Sequence, residues 1–306
     1  MHTEHTEETF RSGFVAIIGL PNVGKSTLLN VMVGERLSIV THKAQTTRQR
    51  FLGILSDAAH QAVFVDTPGL LEPRYLLQES MLAEANRAVG DADVLVYVVD
   101  GGFGASIEHG LAYKPRGEIP TVLCLNKADR TSDDGAALVS RFRELDAWGA
   151  VIPTVAVKGA GIDELKAEIL SQLPFSPAYY PTDEVATASV RFLAAELIRE
   201  TCLQHLSEEV PYAVAVGIEE FRDSTAKRST YISASLYVER NSQKGIVIGK
   251  GGQTLKEIGK RSRHKIEELI GEPVYLELRV KVLANWRKRR GKLKLLGYPT
   301  TVTERT

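Results

Sequence analysis

The stretch that decides the fold of the first half of this 306-residue chain is Gly19-Leu20-Pro21-Asn22-Val23-Gly24-Lys25-Ser26, which Thr27 follows. It matches the pattern G-x-x-x-x-G-K-[ST], whose glycines let consecutive amides turn inward around phosphate oxygens. Phe14–Ile18 before it reads as a buried strand, and Lys25–Val33 after it reads as a helix. Because the amino-terminal end of a helix is positive, this order of elements predicts a phosphate-binding loop.

Two segments with oxygen-bearing side chains complete a predicted phosphate and metal site. In the loop, Lys25 supplies a charge for the β- and γ-phosphates, and the hydroxyl of Ser26 supplies a ligand for Mg²⁺. Asp66-Thr67-Pro68-Gly69 follows the predicted strand Gln61–Val65. Asp66 can hold Mg²⁺ through water, and the amide of Gly69 can meet the γ-phosphate. Asp and Gly are common turn residues, so this motif gains its weight from its distance after the loop.

A third motif, Asn126-Lys127-Ala128-Asp129, predicts which base is bound. The carboxylate of Asp129 can accept two hydrogen bonds from the N1–H and 2-amino groups of guanine, whereas adenine would leave it unsatisfied. Asn126 would brace the surrounding loops, and the aliphatic stem of Lys127 would lie over the base. The alternative role for Asp129 is that of a helix cap. With the two preceding motifs, guanine recognition is the favoured interpretation.

Apolar strands alternate with helices through the first half of the chain. Further strands are predicted at Val94–Val99, Thr121–Leu125 and Val151–Ala156, and helices at Gln78–Val89, Gly135–Asp146 and Ile162–Leu173. This alternation predicts an α/β domain with a mostly parallel sheet covered by helices on both faces. The turn-like segment Ser56–His60 predicts one antiparallel edge strand.

A proline-rich segment, Leu173–Pro181, marks the predicted domain boundary, since proline fixes φ and lacks an amide donor. We expect a disordered start over residues 1–12, a first domain over 13–173, a linker over 174–186 and a second domain over 187–306. In the second domain the patterns predict a helix–strand–strand–helix–strand order. Its elements are Ala188–Leu206, Tyr212–Phe221, Thr230–Val238, Gln253–Ile270 and Val274–Leu283, with a basic helical stretch at Asn285–Leu296.

Charge is distributed very unevenly along a chain whose net charge is zero. Arg240–Leu296 holds 16 Lys and Arg against 5 Asp and Glu, a net of +11, so the remainder carries −11. Such a block predicts a surface for nucleic acid or anionic lipid at one end of the chain. The longest apolar run, Val94–Val99, is far short of the ~20 residues of a membrane-spanning helix. Cys124 and Cys202 lie in apolar segments, which together with the polar start predicts a cytoplasmic protein.

A second glycine loop, Val247-Ile248-Gly249-Lys250-Gly251-Gly252, lies inside this basic block. A G-x-x-G loop between a predicted strand region and a helix lets backbone approach a sugar-phosphate chain closely. Lys256 adds a charge one turn into the helix. The apolar flanks would form the floor on which bases rest: Ile246, Val247, Ile248, Leu255 and Ile258. With its surroundings, the motif resembles a type II KH domain, which binds about four single-stranded nucleotides.

A basic cluster with one aromatic residue follows the second domain's last strand. It comprises Trp286, Arg287, Lys288, Arg289 and Arg290. Trp286 could stack on a base for about 1–3 kcal/mol, while the cations add a salt-dependent phosphate attraction. Trp286 as a core anchor is an equally open interpretation. For the cations, RNA is favoured over an acidic membrane surface.

The phosphate loop, D-T-P-G and N-K-x-D in this order are similar to the signature of translation-factor-class GTPases, and the appended KH-like module resembles the Era family. The resemblance implies that the first switch is Lys43–Arg48, with Thr47 closing over Mg²⁺ and the γ-phosphate and Thr46 in reserve. It implies that the Ala156 amide reaches guanine O6, although Val155 replaces the usual serine before it. Asn22 is similar to an asparagine that binds K⁺ in potassium-stimulated relatives.

The same resemblance implies catalysis and partners. Lys25, Thr47 and Gly69 would carry GTP hydrolysis. Leu70 stands where many GTPases carry a water-orienting glutamine, so intrinsic turnover is expected to be slow, and an ordered switch, K⁺ or RNA would accelerate it. Era proteins bind the 3′ end of small-subunit ribosomal RNA and act in assembly of that subunit. The resemblance therefore implies this RNA as the partner of a monomeric GTPase, with peripheral contact to an anionic membrane.

Two other functions remain open from the sequence. The first is an RNA-binding module gated by bound GTP with negligible hydrolysis, an alternative that Leu70 leaves open. The second is a GTPase of another Era-like branch that acts on transfer RNA or the large subunit. That branch shares the nucleotide site but not a G-K-G-G module at this distance.

Overall fold

The computed structural model describes residues 9–43, 45–102, 119–131, 133, 135–145, 148–226 and 228–300. Contacts between residues divide the chain into two compact units. The first contains the residues up to Ser38 together with Thr47–Glu72 and Met81–Thr187. The second contains Ile39–Thr46, Pro73–Ser80 and the residues from Ala188 onward. Residues 1–8 of the predicted disordered start lie outside the described residues, and the first strand begins at Arg11.

The first unit is built on a six-stranded sheet in the order β2-β3-β1-β4-β5-β6. Its strands are β1 Arg11–Ile18, β2 Phe51–Ser56, β3 His60–Asp66, β4 Val94–Asp100, β5 Thr121–Asn126 and β6 Ala150–Thr154. All neighbours pair in parallel except β2 and β3, which confirms the predicted antiparallel edge strand. The turn between those two is closed by Asp57, whose carboxylate accepts bonds of 2.7 Å from the Ala59 and His60 amides.

Helices cover this sheet as the alternating pattern predicts. They are α1 Lys25–Val33, α2 Leu76–Gly90, α3 Ala136–Glu144 and α4 Ile162–Gln172. The central strands β4 and β5 are buried along nearly their whole length, which explains their continuous apolar sequence. Because β1, β3, β4, β5 and β6 are mutually parallel, their carboxyl ends meet at one edge. The three nucleotide motifs follow β1, β3 and β5 at that edge.

The predicted linker, residues 174–186, lies within the first unit. The amide of Ile54 on edge strand β2 donates to the carbonyl of Val185 at 2.9 Å. The Gln61 side chain accepts from the Tyr179 amide at 2.7 Å and donates to the Tyr180 carbonyl at 2.8 Å. The segment contains no helix and only isolated bridges to the sheet, in keeping with its prolines. It therefore lies against strands β2 and β3 without forming a regular strand.

The second unit contains a three-stranded sheet in the order β7-β8-β9. The strands are β7 Ala215–Arg222, β8 Thr230–Val238 and β9 Val274–Val282; β8 pairs antiparallel with β7 and parallel with β9. The helices are α5 Val190–His205, the single turn α6 Val210–Ala213, α7 Asn241–Ile248, α8 Gln253–Ile270 and α9 Arg290–Leu295. Its core joins α5, α7 and α8 to one face of the sheet.

Helix α7 corrects one prediction. The residues before the G-K-G-G loop form a helix rather than a strand region, so the loop joins two helices. The side chain of Gln243 accepts the Arg240 amide at 3.1 Å, and Gln243 and Val247 are buried one turn apart. Glutamine at the third position of a helix is a recognised start signal that the glycine-rich appearance of the stretch obscured. The predicted strand from Tyr212 likewise begins three residues later, after α6.

Two short segments from earlier in the chain belong to the second unit. In Ile39–Thr46, the Val40 amide donates to the buried Glu200 at 3.2 Å, and Glu200 also accepts from Lys265 on α8 at 2.7 Å. In Pro73–Ser80, the Tyr75 ring lies 5.0 Å from the Arg287 guanidinium carbon. None of the described helices is at once long enough and apolar enough to cross a membrane.

Candidate nucleotide site and nucleic-acid groove

The phosphate loop is held closed by the strands around it. Gly24 adopts a left-handed conformation with φ 104°, and a Cβ there would lie 2.3 Å from the Asn126 amide nitrogen. Only glycine therefore fits this corner. Lys25 is buried, and its ammonium donates to the carbonyls of Gly19 at 3.1 Å and Leu20 at 2.9 Å. Burial lowers the pKa of Lys25 to about 8, while the charge of Asp66 opposes that shift.

Oxygen atoms converge beside the loop in the arrangement expected for Mg²⁺. The Ser26 hydroxyl donates to Asp66 Oδ2 at 2.8 Å and lies 3.0 Å from the hydroxyl of Thr47, which is itself 3.1 Å from the same carboxylate oxygen. Ser38 also donates to Oδ2, at 2.6 Å. Asp66 Oδ1 is buried and has no hydrogen-bond partner among the described residues. Hydroxyl and carboxylate oxygens are the ligands that Mg²⁺ prefers, so this set fits the ion.

Burial raises the pKa of Asp66, although the hydroxyls of Ser38, Ser26 and Thr47 and the charge of Lys25 act against the rise. A buried carboxylate with one unsatisfied oxygen gains most from a cation at that oxygen. Ser38 was not among the predicted residues. Serine is too common before a loop to single out from sequence, and only the structure brings it to Asp66.

Of the two threonines that the sequence left as candidates, Thr47 is the one at this cluster. The hydroxyl of Thr46 instead lies 2.8 Å from that of Thr41 and donates to the Lys43 carbonyl at 2.7 Å. Its backbone carbonyl accepts from the buried guanidinium of Arg199. Thr47 therefore lies beside Ser26 and Asp66, and its metal-binding role stays a prediction.

The base-recognition motif is braced from two sides. Asn126 donates to the Val23 carbonyl of the phosphate loop at 2.8 Å. Its side-chain oxygen accepts from the Thr154 hydroxyl at 3.2 Å and from the Ala156 amide at 3.1 Å. Asn126 and Thr154 are register partners at the ends of β5 and β6, so the sheet itself sets this contact. Thr154 belongs to the predicted guanine-contact stretch Thr154–Lys158 but had no role assigned to it, and it supports the loop in which Val155 replaces the usual serine.

Two ion pairs involve the base-recognition motif, one at Asp129 and one at Lys127. Asp129 is paired with Lys158 at 2.8 Å, and this hydrogen bond lowers the pKa of Asp129. The ammonium of Lys127 bridges the Asn22 carbonyl and the Asp100 carboxylate at 2.6 Å each. Its ammonium therefore links the phosphate loop to the end of β4. Lys158 and Asp100 are further residues that the motif analysis did not select.

Gly69 and Leu70, which follow Asp66 in the chain, are tightly packed. A Cβ on Gly69 would lie 2.8 Å from the backbone of Pro21, so a side chain is excluded there. The Leu70 side chain is buried in the core of the first unit, and its amide donates to the Gly19 carbonyl at 3.0 Å. Leu70 consequently offers the site neither a donor nor an acceptor side chain.

The second unit carries a groove beside the G-K-G-G loop. It has a volume of about 970 Å³, and its lining includes Gly252, Leu255, Lys256, Lys260, Arg263, Leu276 and Leu278. The apolar floor differs from the predicted one. Val247 and Ile258 are fully buried in the core and Ile246 is 51% exposed, while Leu276 and Leu278 of β9 join Leu255 at the groove. The helix period alone could not show which of these positions face the groove, because β9 contributes part of the floor.

The loop itself presents two of its glycines to open space. A Cβ on Gly249 would lie 2.2 Å from the Thr254 hydroxyl, whereas one on Gly251 or Gly252 would meet nothing within 4 Å. Lys250 is exposed and Ile248 is half-buried. The cations Lys256, Lys260 and Arg263 recur at helical spacing along α8, so one edge of the groove is positively charged.

Trp286 corrects the stacking prediction. Its ring is fully buried, its indole nitrogen donates to the Ala213 carbonyl at 2.8 Å, and it stacks on Tyr298. Of the two interpretations left open, the structure supports the core anchor, because no face of the ring is available to a base. Arg287 is half-buried and paired with Glu239. Lys288, Arg289 and Arg290 are exposed, as phosphate contacts require.

Comparison with known proteins agrees with both halves of this description. A family model described as a 50S ribosome-binding GTPase matches residues 14–127, and one described as a KH domain matches residues 209–287. The GTPase Era of Heliobacterium modesticaldum is 42% identical over 298 residues, covering 95% of this chain and 98% of the relative. This chain belongs to the Era GTPase family. Its Carboxydothermus hydrogenoformans relative is 41% identical over 295 residues, with the same coverage.

Solved Era structures match nearly the whole length of this chain. A single-residue variant of Aquifex aeolicus Era bound to GDP and aluminium fluoride is 38% identical, with a TM-score of 0.89 over 94% of this chain and 99% of the relative. Era in complex with MgGDPNP and nucleotides 1506–1542 of 16S ribosomal RNA has the same identity and coverage and a TM-score of 0.90. The predicted fold class, an α/β GTPase domain followed by a KH domain, is confirmed. Membership also excludes the first alternative left open by the sequence, a module with negligible hydrolysis, because this Era-family chain is a GTPase.

Proposed function

We propose that this GTPase binds GTP with Mg²⁺ in the first unit and binds the unpaired 3′ end of small-subunit ribosomal RNA in the groove of the second unit. Hydrolysis then times its release from the assembling small subunit. The observation that carries this proposal is the groove of about 970 Å³, with a glycine loop, an apolar floor and a cationic edge. An Era relative of the same architecture was solved with nucleotides 1506–1542 of 16S ribosomal RNA.

Each residue at the phosphate end of the nucleotide site would bind either Mg²⁺, directly or through water, or a phosphate group. Mg²⁺ would bridge phosphate oxygens and neutralise the charge that develops on them. Ser26 and Thr47 would hold the ion directly and Asp66 through water, while Lys25 adds a positive charge from inside the loop. The amides of Val23, Gly24 and Thr27 would line the phosphates, and the amide of Gly69 would meet the γ-phosphate. The α1 helix begins without a side-chain cap, which leaves its first amides to the ligand.

Guanine would be selected by Asp129, which must exchange its pairing with Lys158 for the two hydrogen-bond donors of the base. Lys158 is largely exposed, so this exchange costs little desolvation. The Ala156 amide, two residues after β6, donates to Asn126 Oδ1 at 3.1 Å, and it would have to share or exchange this bond to reach guanine O6. The stem of Lys127 would cover the face of the base.

Turnover would be slow in the protein alone, since the buried Leu70 cannot orient the attacking water. RNA that orders the first switch would accelerate hydrolysis. We further propose K⁺ as a second cation, bound near the exposed Asn22, which has the left-handed φ of 64°. Hydrolysis at equal ionic strength should then be faster in KCl than in NaCl, and equal rates would contradict the K⁺ site.

The decisive experiment is single-turnover GTP hydrolysis with three RNAs of equal length. One carries the small-subunit rRNA 3′ end, one the same bases in scrambled order, and one a large-subunit rRNA segment, because the description of the GTPase family model names the large subunit. The first RNA should bind most tightly and accelerate hydrolysis. Equal binding and equal rates with all three would refute the assignment, and a preference for the large-subunit segment would reassign the partner.

The proposal also covers the oligomeric state, the location in the cell and contact with membranes. We expect a monomeric cytoplasmic protein whose exposed cations Lys288, Arg289 and Arg290 also give weak contact with anionic membranes. Vesicles rich in anionic lipid should retain the protein at low salt and release it as salt rises. If retention is equal with neutral vesicles, membrane contact through these residues is wrong.

A further inference from the structure

A glycine sits in the middle of the longest described helix of the second unit. Gly259 lies near the centre of α8 Gln253–Ile270. In a helix interior, glycine costs about 1 kcal/mol relative to alanine, because the unfolded chain loses more freedom. The presence of glycine at this position therefore needs an explanation other than helix stability.

The fold of the protein does not require this glycine. Its backbone is not in the left-handed region, and a Cβ would meet only the Leu278 side chain, at an ordinary contact distance of 3.6 Å. This differs from Gly24, where a Cβ would lie 2.3 Å from Asn126. A methyl group at position 259 is thus compatible with both the helix and the packing of α8 on β9.

The absence of a side chain at Gly259 leaves space in the groove. Gly259 belongs to its lining, between Lys256 one turn before it and Arg263 one turn after it on the same face of α8. The groove is also lined by Leu276 and Leu278 of β9. At Gly259 the backbone of α8 is therefore exposed to the groove. Leu276 and Leu278 form an apolar wall on one side of it, and the long side chains of Lys256 and Arg263 lie at either end.

We propose that Gly259 is the seat of one unpaired nucleobase, which lies flat against the α8 backbone with its edge towards Leu276 and Leu278. The inference rests on the proposed RNA-binding function and adds a residue that sets which nucleotide positions the groove accepts. Lys256 and Arg263 would take the phosphates on either side of that base. A side chain at position 259 would lift the base away from the helix and separate it from the apolar wall.

The first test compares glycines in two helices. Gly259→Ala and Gly259→Leu should lower affinity for the small-subunit 3′-end RNA by about tenfold and by more than tenfold, as overpacking does. Gly245→Ala in α7 is the matched control, because a Cβ there would meet nothing within 4 Å and Gly245 is outside the groove lining. Both alanine variants should keep or raise the melting temperature and leave GTP affinity unchanged. Unchanged RNA affinity in Gly259→Leu would overturn the proposal.

A second test separates a base seat from a general structural effect. In a series of RNAs, each nucleotide of the 3′ end is replaced in turn by an abasic one. The wild-type chain should show one position whose base removal weakens binding most, and Gly259→Ala should lose the penalty at that position only. If the variant weakens binding at all positions equally, Gly259 acts on the groove as a whole and the seat is refuted.

These outcomes are distinguishable from failure of the proposed function. If the wild-type chain does not prefer the 3′-end RNA to its scrambled counterpart, the RNA assignment fails and the base seat fails with it. If that preference is present and the abasic profiles of wild type and Gly259→Ala coincide, the RNA assignment stands and the base seat falls.

Discussion

The two loops of this protein that contain glycine and lysine differ in what requires their glycines. In the phosphate loop, a Cβ on Gly19 would lie 2.3 Å from the Val98 carbonyl, and one on Gly24 would lie 2.3 Å from Asn126. In the second loop, Gly251 and Gly252 face open space. Gly19 and Gly24 are required by the protein's own neighbouring atoms, and so is Gly249 at the start of the second loop, whose Cβ would meet Thr254. Gly251 and Gly252 are required only by backbone conformation and by what binds there. A pocket closed by its own fold suits one small, constant ligand, whereas an open loop suits a long chain that passes through.

Alanine substitutions of the lysines in the two loops should differ most in their effect on ligand affinity. Lys25→Ala should lower GTP affinity about a thousandfold, since it removes charge-assisted bonds to two phosphates in a buried site. Lys250→Ala, at the exposed counterpart, should leave GTP binding unchanged and weaken RNA binding only modestly. Calorimetry with GTP and fluorescence anisotropy with RNA measure both. If Lys25→Ala binds GTP normally, the phosphate site is elsewhere.

A substitution at Asp129, which is predicted to bind the base, should have the second-largest effect on GTP affinity. Asp129→Asn should weaken GTP binding about a hundredfold and favour xanthosine triphosphate, because the amide offers a donor where guanine also presents donors. RNA affinity without nucleotide should not change. Competition binding of the two nucleotides checks this, and an unaltered preference for GTP would remove Asp129 from base recognition.

Alanine substitutions at the glycines test the comparison itself. Gly24→Ala should destabilise the first unit by about 3 kcal/mol, since Asn126 must give up its bond to the loop. Gly251→Ala, with φ 59° and no neighbours within 4 Å, should cost only about 1 kcal/mol, the penalty of a left-handed alanine. Thermal unfolding of the two variants would measure the difference. Equal destabilisation would mean that the two loops are specified alike.

The smallest expected effect concerns the open loop alone. Gly252→Asp should lower RNA affinity about tenfold through repulsion of phosphate, and Gly252→Asn, of the same size but uncharged, should lower it less. Asparagine and aspartate both tolerate φ of 77°, so stability should be similar in the two variants. Anisotropy at two salt concentrations separates charge from bulk. If both variants bind RNA like wild type, the backbone path lies elsewhere.

The sequence by itself determined the sheet class, the antiparallel edge strand and the nucleotide motifs, because strand alternation, turn residues and glycine spacing act over short stretches. Helices α1 and α8 begin and end at the predicted residues for the same reason. Helix α7 was missed, since local glycine content masked a helix that burial of Gln243 and Val247 supports.

Contacts between distant parts of the chain were decided only by the tertiary structure. Trp286 reads equally as an aromatic for RNA or as a core anchor, and only its burial against Ala213 and Tyr298 selects the anchor. Ser38 and Thr154 carry no motif, yet parallel strand ends and loop packing bring them to Asp66 and Asn126. The sequence pattern records which residues are neighbours along the chain, whereas the site depends on which strand ends meet.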